Sequence, residues 1–500
     1  MKLRAPSVAS RRLLWRSFAG TALLSLCAFA TPLTACSSDD SVQPAPQPVV
    51  APPPPAPQLD PPDAAPPKDA APPKVIPKPT FPEVQSRGGS VIKTPKVVAV
   101  VFNGDTLAPQ ITDFTSKIST SSYWKNLGLE YGVGGMTAID TITVNETAPT
   151  TITSAAIETW LKGKLTAATP GGTPEFGTPD PNTLYAVYYP NTTTITMDGF
   201  SGAMGQSCMG YGGYHFEIDV AGTSVGYAVL PRCSDIDELT VAASHEYFEW
   251  ATDPFPQTKP AYTKLDDAHW AWQAAFIGEL GDLCTYLDRD FQRPTEIGFQ
   301  VQTMWSNKAS LAGKYPCAPK VSEYLQAIPT ADDTAIVPSQ VQGQPDVTTK
   351  AIRVKAGQER TVDVLVYSDQ PHAAMVPMRA LTFDEFTTGM ANGPNATGYK
   401  YTVAPTYGTV GDTVSVTIKA PIATTYDLLV MLAYTSDSSV NYWPVLVVND
   451  EAPAPGTTPK KMPHLASTLA RFPGGRLATP RITKLGMKQA AVPRSLIQRP

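Results

Sequence analysis

The side chains best suited to chemistry lie in the run HEYFE, where His245 and Glu249 flank Glu246. If this run is helical, residues four apart lie one above the other on the same face. His245 and Glu249 would then form a stacked imidazole and carboxylate, with Glu246 beside them. Both groups are common metal ligands, so the spacing predicts a metal site.

The same run resembles the helix motif H-E-x-x-H of zinc hydrolases, with Glu249 in place of the second histidine. In those helices the Glu after the first His takes a proton from metal-bound water. By this reasoning Zn²⁺ is the expected cofactor, His245 and Glu249 are ligands, and Glu246 is the candidate catalytic base.

Further ligands are available downstream and upstream. The run Gly278–Asp282, GELGD, resembles the Glu-x-x-Asp segment of thermolysin-like enzymes, and either Glu279 or Asp282 could complete the site. His215, in an aromatic strand-like run, is another possible donor. A structural alternative stays open, in which His245 is a core histidine satisfied by Glu249, Glu246 is solvated, and the later carboxylates cap a loop.

A helix over residues 234–254 must position these groups. Ser234 is a suitable N-cap, and Asp253 ends the helix because a residue before proline is disfavoured in helical backbone. One row of this helix is apolar and should face the core: Leu239, Ala243, Tyr247 and Trp250.

The surrounding sequence alternates buried-strand and helix patterns. VVAVVF at 97–102 and TLYAVYY at 183–189 are apolar throughout, and apolar residues recur at helical spacing at 111–118 and 157–165. Residues 88–320 are therefore predicted to form an α/β or α+β domain, zincin-like because of the HExxE helix.

The remaining C-terminal sequence changes character. Residues 321–450 contain short alternating runs separated by Gly, Pro and Asp, which predicts a small Ig-like β-sandwich. Residues 451–500 carry nine basic and one acidic side chains and no long apolar periodicity, so a basic disordered tail is predicted.

The N-terminal residues resemble an export signal. Residues 1–35 combine five basic residues with a short apolar run, and LTAC ending at Cys36 resembles a bacterial lipobox. Cys36 would carry lipid and anchor the protein to a membrane, and Ser37 favours the outer membrane in that sorting pattern. Residues 36–87 form a predicted Pro-rich tether, since 17 of the 51 prolines lie between Pro44 and Pro82.

An exported chain is oxidised, and four cysteines remain after Cys27 is removed with the signal and Cys36 is lipidated. Four cysteines allow three pairings. Cys208 with Cys233 and Cys284 with Cys317 are favoured because each pair closes a short loop. A Cys₄ zinc site is the rival, but no C-x-x-C pair supports it.

The net charge of −5 is the sum of basic terminal segments and an acidic central part of the chain. Residues 37–450 carry 25 basic and 43 acidic side chains. Binding to nucleic acid needs a basic face on the folded part, so a nucleic-acid partner is not expected.

Several motifs together resemble the EXORDIUM/phosphate-induced-protein family, a secreted group known mainly from plants. They are GYH at 213–215, HEYFEWATDP at 245–254, GELGDLC at 278–284 and QTMWSN at 302–307, in the order found in that family. The resemblance covers about residues 95–318 and implies an extracellular, cell-wall-linked role without implying a reaction.

Two functions are consistent with these observations. The first is a lipid-anchored envelope protein with a zinc-dependent peptidase-like domain acting on a peptide. The second is a non-catalytic cell-surface protein that binds a cell-envelope polymer or adheres to it, with the same residues holding a structural ion.

Overall fold

The computed structural model describes residues 79–198, 202–276, 278–285, 291–319, 323–339, 344–388, 397–423, 425–435, 440–449 and 478–480. The predicted signal peptide, Cys36 and most of the predicted tether lie outside these residues, as does most of the basic tail. Among the described residues, no helix combines the length and the apolar character needed to cross a bilayer.

Strands dominate the part of the chain that the structure describes, and they lie in seven sheets. The predicted zincin-like α/β or α+β class is therefore wrong. Within the described ranges, four helices extend over more than two turns, while most other apolar runs are short strands. The helices are α1 (Ala108–Thr120), α2 (Ser122–Tyr131), α3 (Ser154–Lys164), α4 (Ile236–Thr252), α5 (Trp270–Phe276), α6 (Asp282–Thr285), α7 (Asn307–Leu311) and α8 (Phe383–Thr388).

A six-stranded sheet supports the candidate site. Four neighbouring strands run parallel, and the strand that carries His215 is antiparallel to both of its neighbours. In spatial order the strands are β24 (Ala478–Pro480), β7 (Tyr211–Val220), β8 (Thr223–Pro231), β5 (Thr183–Tyr189), β2 (Lys96–Phe102) and β3 (Thr137–Val144).

The two faces of this sheet bury different helices. Val97, Ala99 and Val101 of β2 lie in one core with apolar residues of α1, α2 and α4. Val98 and Val100 point the other way and lie in a second core with apolar residues of α3. This alternation follows from the period of two along a strand, and it explains why β2 is apolar throughout.

Four pairs of short strands form separate two-stranded sheets in the described part of the chain. The pair β4–β6 is parallel and the other three are antiparallel. The pairs are β1 (Val84–Ser86) with β9 (Tyr262–Leu265), β4 (Thr151–Thr153) with β6 (Thr194–Thr196), β10 (Phe291–Gln292) with β11 (Val301–Gln302), and β12 (Met304–Trp305) with β13 (Cys317–Ala318).

The chain after residue 322 forms two further sheets. An antiparallel four-stranded sheet contains, in order, β14 (Leu325–Pro329), β17 (Glu359–Ser368), β21 (Thr413–Lys419) and β19 (Lys400–Ala404). A six-stranded sheet contains β15 (Asp333–Val337), β16 (Val347–Arg353), β23 (Val440–Val448), β22 (Tyr426–Tyr434), β18 (Val376–Leu381) and β20 (Tyr407–Gly408).

These two sheets share one apolar core with the α4 face of the central sheet. Trp443 of β23 packs edge-on against Trp272 of α5 and against Phe81, with ring centroids 5.3 and 5.8 Å apart. The C-terminal sheets therefore stabilise the region that carries the candidate site.

Candidate metal centre

Helix α4 places the HEYFE side chains as the spacing predicts. Its N-cap is Asp235, whose side chain accepts a hydrogen bond from the Glu238 amide, so the predicted Ser234 cap is one residue too early. His245 and Glu249 are stacked one turn apart, with Nε2 and Oε2 separated by 2.9 Å. Glu246 is also buried, which excludes the solvated position considered from the sequence.

Gln302 of β11 fixes the orientation of the His245 ring. The Gln302 Nε2 group donates to the Gly281 carbonyl at 2.7 Å and to Thr285 Oγ1 at 3.0 Å. Its Oε1 atom therefore faces His245 Nδ1, at 2.9 Å, and accepts a hydrogen bond from it. A neutral His245 then carries its proton on Nδ1 and directs the Nε2 lone pair at the carboxylates.

Glu249 is held by backbone amides through one oxygen only. Its Oε1 accepts hydrogen bonds from Gly281 N at 2.9 Å and Asp282 N at 3.0 Å. Its Oε2 lies 2.9 Å from His245 Nε2 and 3.9 Å from His215 Nδ1. Burial, with the nearby charges of other carboxylates, raises the pKa of Glu249 well above its usual value.

Asp282 and Glu279 bring two more carboxylates to the same place. Asp282 Oδ1 is 3.7 Å from His245 Nε2, and burial raises the Asp282 pKa to about 7. Burial and the charge of Glu249 raise the pKa of Glu279 well above its usual value. In the described residues, neither oxygen of either side chain has a hydrogen-bond partner.

His215 approaches from β7, on the sheet face that α4 covers. Its Nδ1 lies 3.1 Å from Glu246 Oε2, and its Nε2 has no hydrogen-bond partner among the described residues. Burial lowers the pKa of His215, but the hydrogen bond with Glu246 and nearby carboxylate charges raise it more, so the net change is upward. A Cβ at Gly213 would lie 2.8 Å from Glu246 Oε1, so a glycine there lets β7 and α4 approach.

The structure thus brings together all five predicted ligands and Glu246, and we call these six side chains the His–carboxylate cluster. Each of them is at most 2% exposed: His215, His245, Glu246, Glu249, Glu279 and Asp282. Buried carboxylates and imidazole nitrogens without partners are unfavourable unless a proton or cation compensates them. Two ligand atoms that bind one tetrahedral ion at about 2.1 Å are ~3.4 Å apart. The distances between imidazole nitrogens and carboxylate oxygens in the cluster include 2.9, 3.1 and 3.9 Å, which are close to this value.

The cluster is closed to solvent. A cavity of about 520 Å³ lies elsewhere, where His269, Lys350 and Trp443 are among its lining residues, and it includes none of the cluster residues. Glu246 faces β7 through His215 and Gly213, so the space next to it is filled by protein. The arrangement can hold a cation, and in the described part of the chain all six side chains are buried from solvent.

Two disulfides brace the segments around the cluster. Cys208 is joined to Cys233, and Cys284 to Cys317, the pairs that short loops favour. Cys284 is two residues from Asp282, so its disulfide ties α6, which begins at Asp282, to β13.

Two residues that shape the centre are not among the site residues predicted from the sequence. Gln302 orients His245, and a Cβ at Gly281 would lie 2.6 Å from His245 Nδ1 and 2.8 Å from Glu249 Oε1. Both residues lie within motifs noted above, GELGDLC and QTMWSN, but nothing in their spacing relates them to His245.

No protein-family model and no curated protein matches the chain. Among solved structures it is similar to domains 4 and 5 of the S-layer protein SbsC, at 13% identity and a TM-score of 0.15, over 26% of this chain and 47% of that one. It is similar to the BIgI domain of beta protein from S. agalactiae bound to CEACAM1, at 12% identity and a TM-score of 0.13, over 23% and 92%. The chain spans about half of the SbsC fragment, and TM-scores this low support no inference about function.

Proposed function

We propose that the protein is a non-catalytic cell-surface binding protein whose His–carboxylate cluster holds a structural divalent cation. The observation that carries this proposal is the burial of every ligand. Structural metal sites are closed by protein ligands, whereas catalytic sites keep one position open for water or substrate. We assign His245, Glu249 and Asp282 to this cation, because their three ligand atoms lie within 4.8 Å of one another.

Zn²⁺ is the first ion to test, because imidazole nitrogen and carboxylate oxygen both bind it at about 2.0–2.2 Å. The role of the cation would be to hold α4 and the Glu279–Asp282 segment together. A ligand that binds only the folded state stabilises it by about 2.7 kcal/mol when its free concentration is 100 times its Kd.

The cell-surface assignment rests on the sequence. The predicted signal peptide and Cys36 support export and lipid attachment, and the two disulfides fit an oxidising compartment. We further propose an outer-membrane location, an EXORDIUM-like identity for residues 95–318, and a cell-envelope polymer as the partner.

The decisive experiment combines metal analysis, thermal melting and a protease assay on the mature chain. We expect the purified protein to contain zinc, and chelation or His245→Ala to lower both its metal content and its Tm. We expect no hydrolysis of fluorescent casein by wild type or by Glu246→Gln, and cosedimentation of both with isolated cell-wall sacculi.

Three results would contradict the proposal in different ways. Hydrolysis by wild type that Glu246→Gln abolishes while retaining metal would make the protein a peptidase with Glu246 as its base. If wild-type protein contains no metal and its Tm does not rise when zinc, calcium or manganese is added, the structural cation is contradicted. If the protein does not sediment with sacculi, the proposal of a cell-envelope polymer as its partner is contradicted.

A further inference from the structure

The ligand atoms of the His–carboxylate cluster form two groups rather than one. His245, Glu249 and Asp282 form the first group, and His215, Glu246 and Glu249 form the second. Within each group the ligand atoms all lie within 4.8 Å of one another, and only Glu249 belongs to both. We propose that the protein binds a second divalent cation at His215 and Glu246, with Glu249 bridging the two ions. This proposal rests on the proposed function for its first cation.

The geometry of Glu249 is suited to bridging. Its Oε1 is occupied by the Gly281 and Asp282 amides, so Oε2 is the oxygen that faces both histidines, at 2.9 Å from His245 and 3.9 Å from His215. These two approaches come from different elements, since His245 is on α4 and His215 is on β7. One carboxylate oxygen therefore lies between two imidazoles.

The second group has the ligand types and the spacing of a site. His215 Nδ1 and Glu246 Oε2 are 3.1 Å apart, close to the distance between two ligands of one ion. The charge of Glu279 acts on His215 and on Glu249. Glu279 is buried, but it belongs to neither group of three ligand atoms.

The charge of the cluster favours two ions over one. It contains four buried carboxylates, of Glu246, Glu249, Glu279 and Asp282, and two histidines. With all four carboxylates ionised, one divalent cation leaves two negative charges in a region of low dielectric constant, whereas two cations neutralise all four. With a single ion, protons on the carboxylates would have to compensate the difference.

The experiment measures cation stoichiometry on the full mature chain. Metal-free protein is loaded with Mn²⁺ or Zn²⁺, desalted and analysed for metal per chain. We expect two ions in wild type, one in His215→Ala, one in His245→Ala, and at most a residual amount in Glu249→Ala. His269→Ala is the matched control, because His269 is also buried but bonds to Asp266 outside the cluster, and it should retain two ions.

If His215→Ala fails to fold, Glu246→Gln replaces it in the stoichiometry measurement, because this substitution preserves side-chain volume while removing a charge. We expect Glu246→Gln to bind one ion. The electron paramagnetic resonance spectrum of the Mn²⁺ protein gives an independent measurement. Two ions that share Glu249 should show exchange coupling, which His215→Ala converts to the six-line spectrum of isolated Mn²⁺.

One ion in wild type that persists in His215→Ala would overturn the second site and leave the proposed function intact. Two ions with an uncoupled spectrum would overturn the bridging role of Glu249. No bound ion would overturn this inference and the structural-cation proposal together.

Discussion

At the scale of single residues, the chemistry of His245 depends on an amide that does not bind the proposed ion. Gln302 has its amide nitrogen committed to the Gly281 carbonyl and Thr285, so only its oxygen is left for His245 Nδ1. In a neutral His245 this arrangement selects the tautomer whose Nε2 lone pair is directed at Glu249. Such partners of metal-binding histidines set the tautomer and strengthen the ligand.

We therefore expect Gln302→Leu to weaken cation binding by about 10- to 100-fold while the ligand set stays complete, because the His245 tautomer is no longer selected. Zinc titration against a competing chelator measures the affinity. Gln326→Leu is the matched control, since Gln326 is also a buried strand glutamine but lies in β14 and is not part of the cluster. Equal affinities in the two variants would show that Gln302 does not position His245.

At the scale of elements, the centre exists because α4 lies very close to β7 and β8. A Cβ at Gly226 of β8 would lie 2.0 Å from Trp250 Nε1, and Trp250 is fully buried on α4. Gly213 allows the same close approach on β7 next to Glu246. Two glycines in adjacent strands thus set the distance between His215 and the ligands of the helix.

Gly226→Ala should displace α4, because the new methyl group overlaps the indole of Trp250. We expect a loss of about 1–3 kcal/mol in the free energy of unfolding, together with weaker cation binding. Urea unfolding and zinc titration measure the two effects. Gly163→Ala, at an exposed position of α3 with no atom near the added Cβ, should instead stabilise the protein by about 0.5–1 kcal/mol. Equal free energies of unfolding for Gly226→Ala and wild type would contradict the close packing at Gly226.

At the scale of the whole molecule, the C-terminal sheets contain a buried acid far from the cluster in sequence. Asp427 of β22 accepts a hydrogen bond from the Tyr401 hydroxyl at 2.8 Å and from the Phe383 amide at 3.3 Å. Burial raises the pKa of Asp427 to about 7, although these hydrogen bonds act in the opposite direction. The folded protein therefore binds a proton at Asp427 at pH values where the unfolded chain has released it.

The sign of the effect on stability follows from this difference. Between about pH 4, near the pKa of Asp427 in the unfolded chain, and about pH 7, the folded state binds more protons than the unfolded state. The contribution of Asp427 to stability is therefore full below about pH 4 and is lost as the pH rises through about 7. Asp427→Asn removes the titration. We expect the variant to match wild type near pH 4 and to be more stable at pH 8, by ~1.4 kcal/mol for each unit that separates the two pKa values.

Urea unfolding of both proteins from pH 4 to pH 9 measures this difference. Asp140→Asn, at an exposed position of β3, is the control and should follow the wild-type curve. A difference between Asp427→Asn and wild type that stays constant with pH would show that Asp427 does not titrate in this range.

Local sequence determined the parts of the centre that depend on local spacing. The period of the α4 segment places His245 and Glu249 one turn apart, and apolar runs define β2 and β5. The loop lengths between cysteines favour the two disulfides that the structure contains. Each of these features involves residues close together in the chain, where backbone geometry alone sets the separation.

Tertiary structure alone decided the fold class and the closure of the site. The register of short paired strands depends on contacts between distant residues, so helical and strand periodicity in the N-terminal half gave the wrong class. Glu246 is buried because β7 passes over it, and His245 is oriented because β11 brings Gln302 to it, 57 residues away in the sequence. A motif specifies which ligands face the same way along a helix, whereas burial and the remaining ligands depend on what packs against that helix.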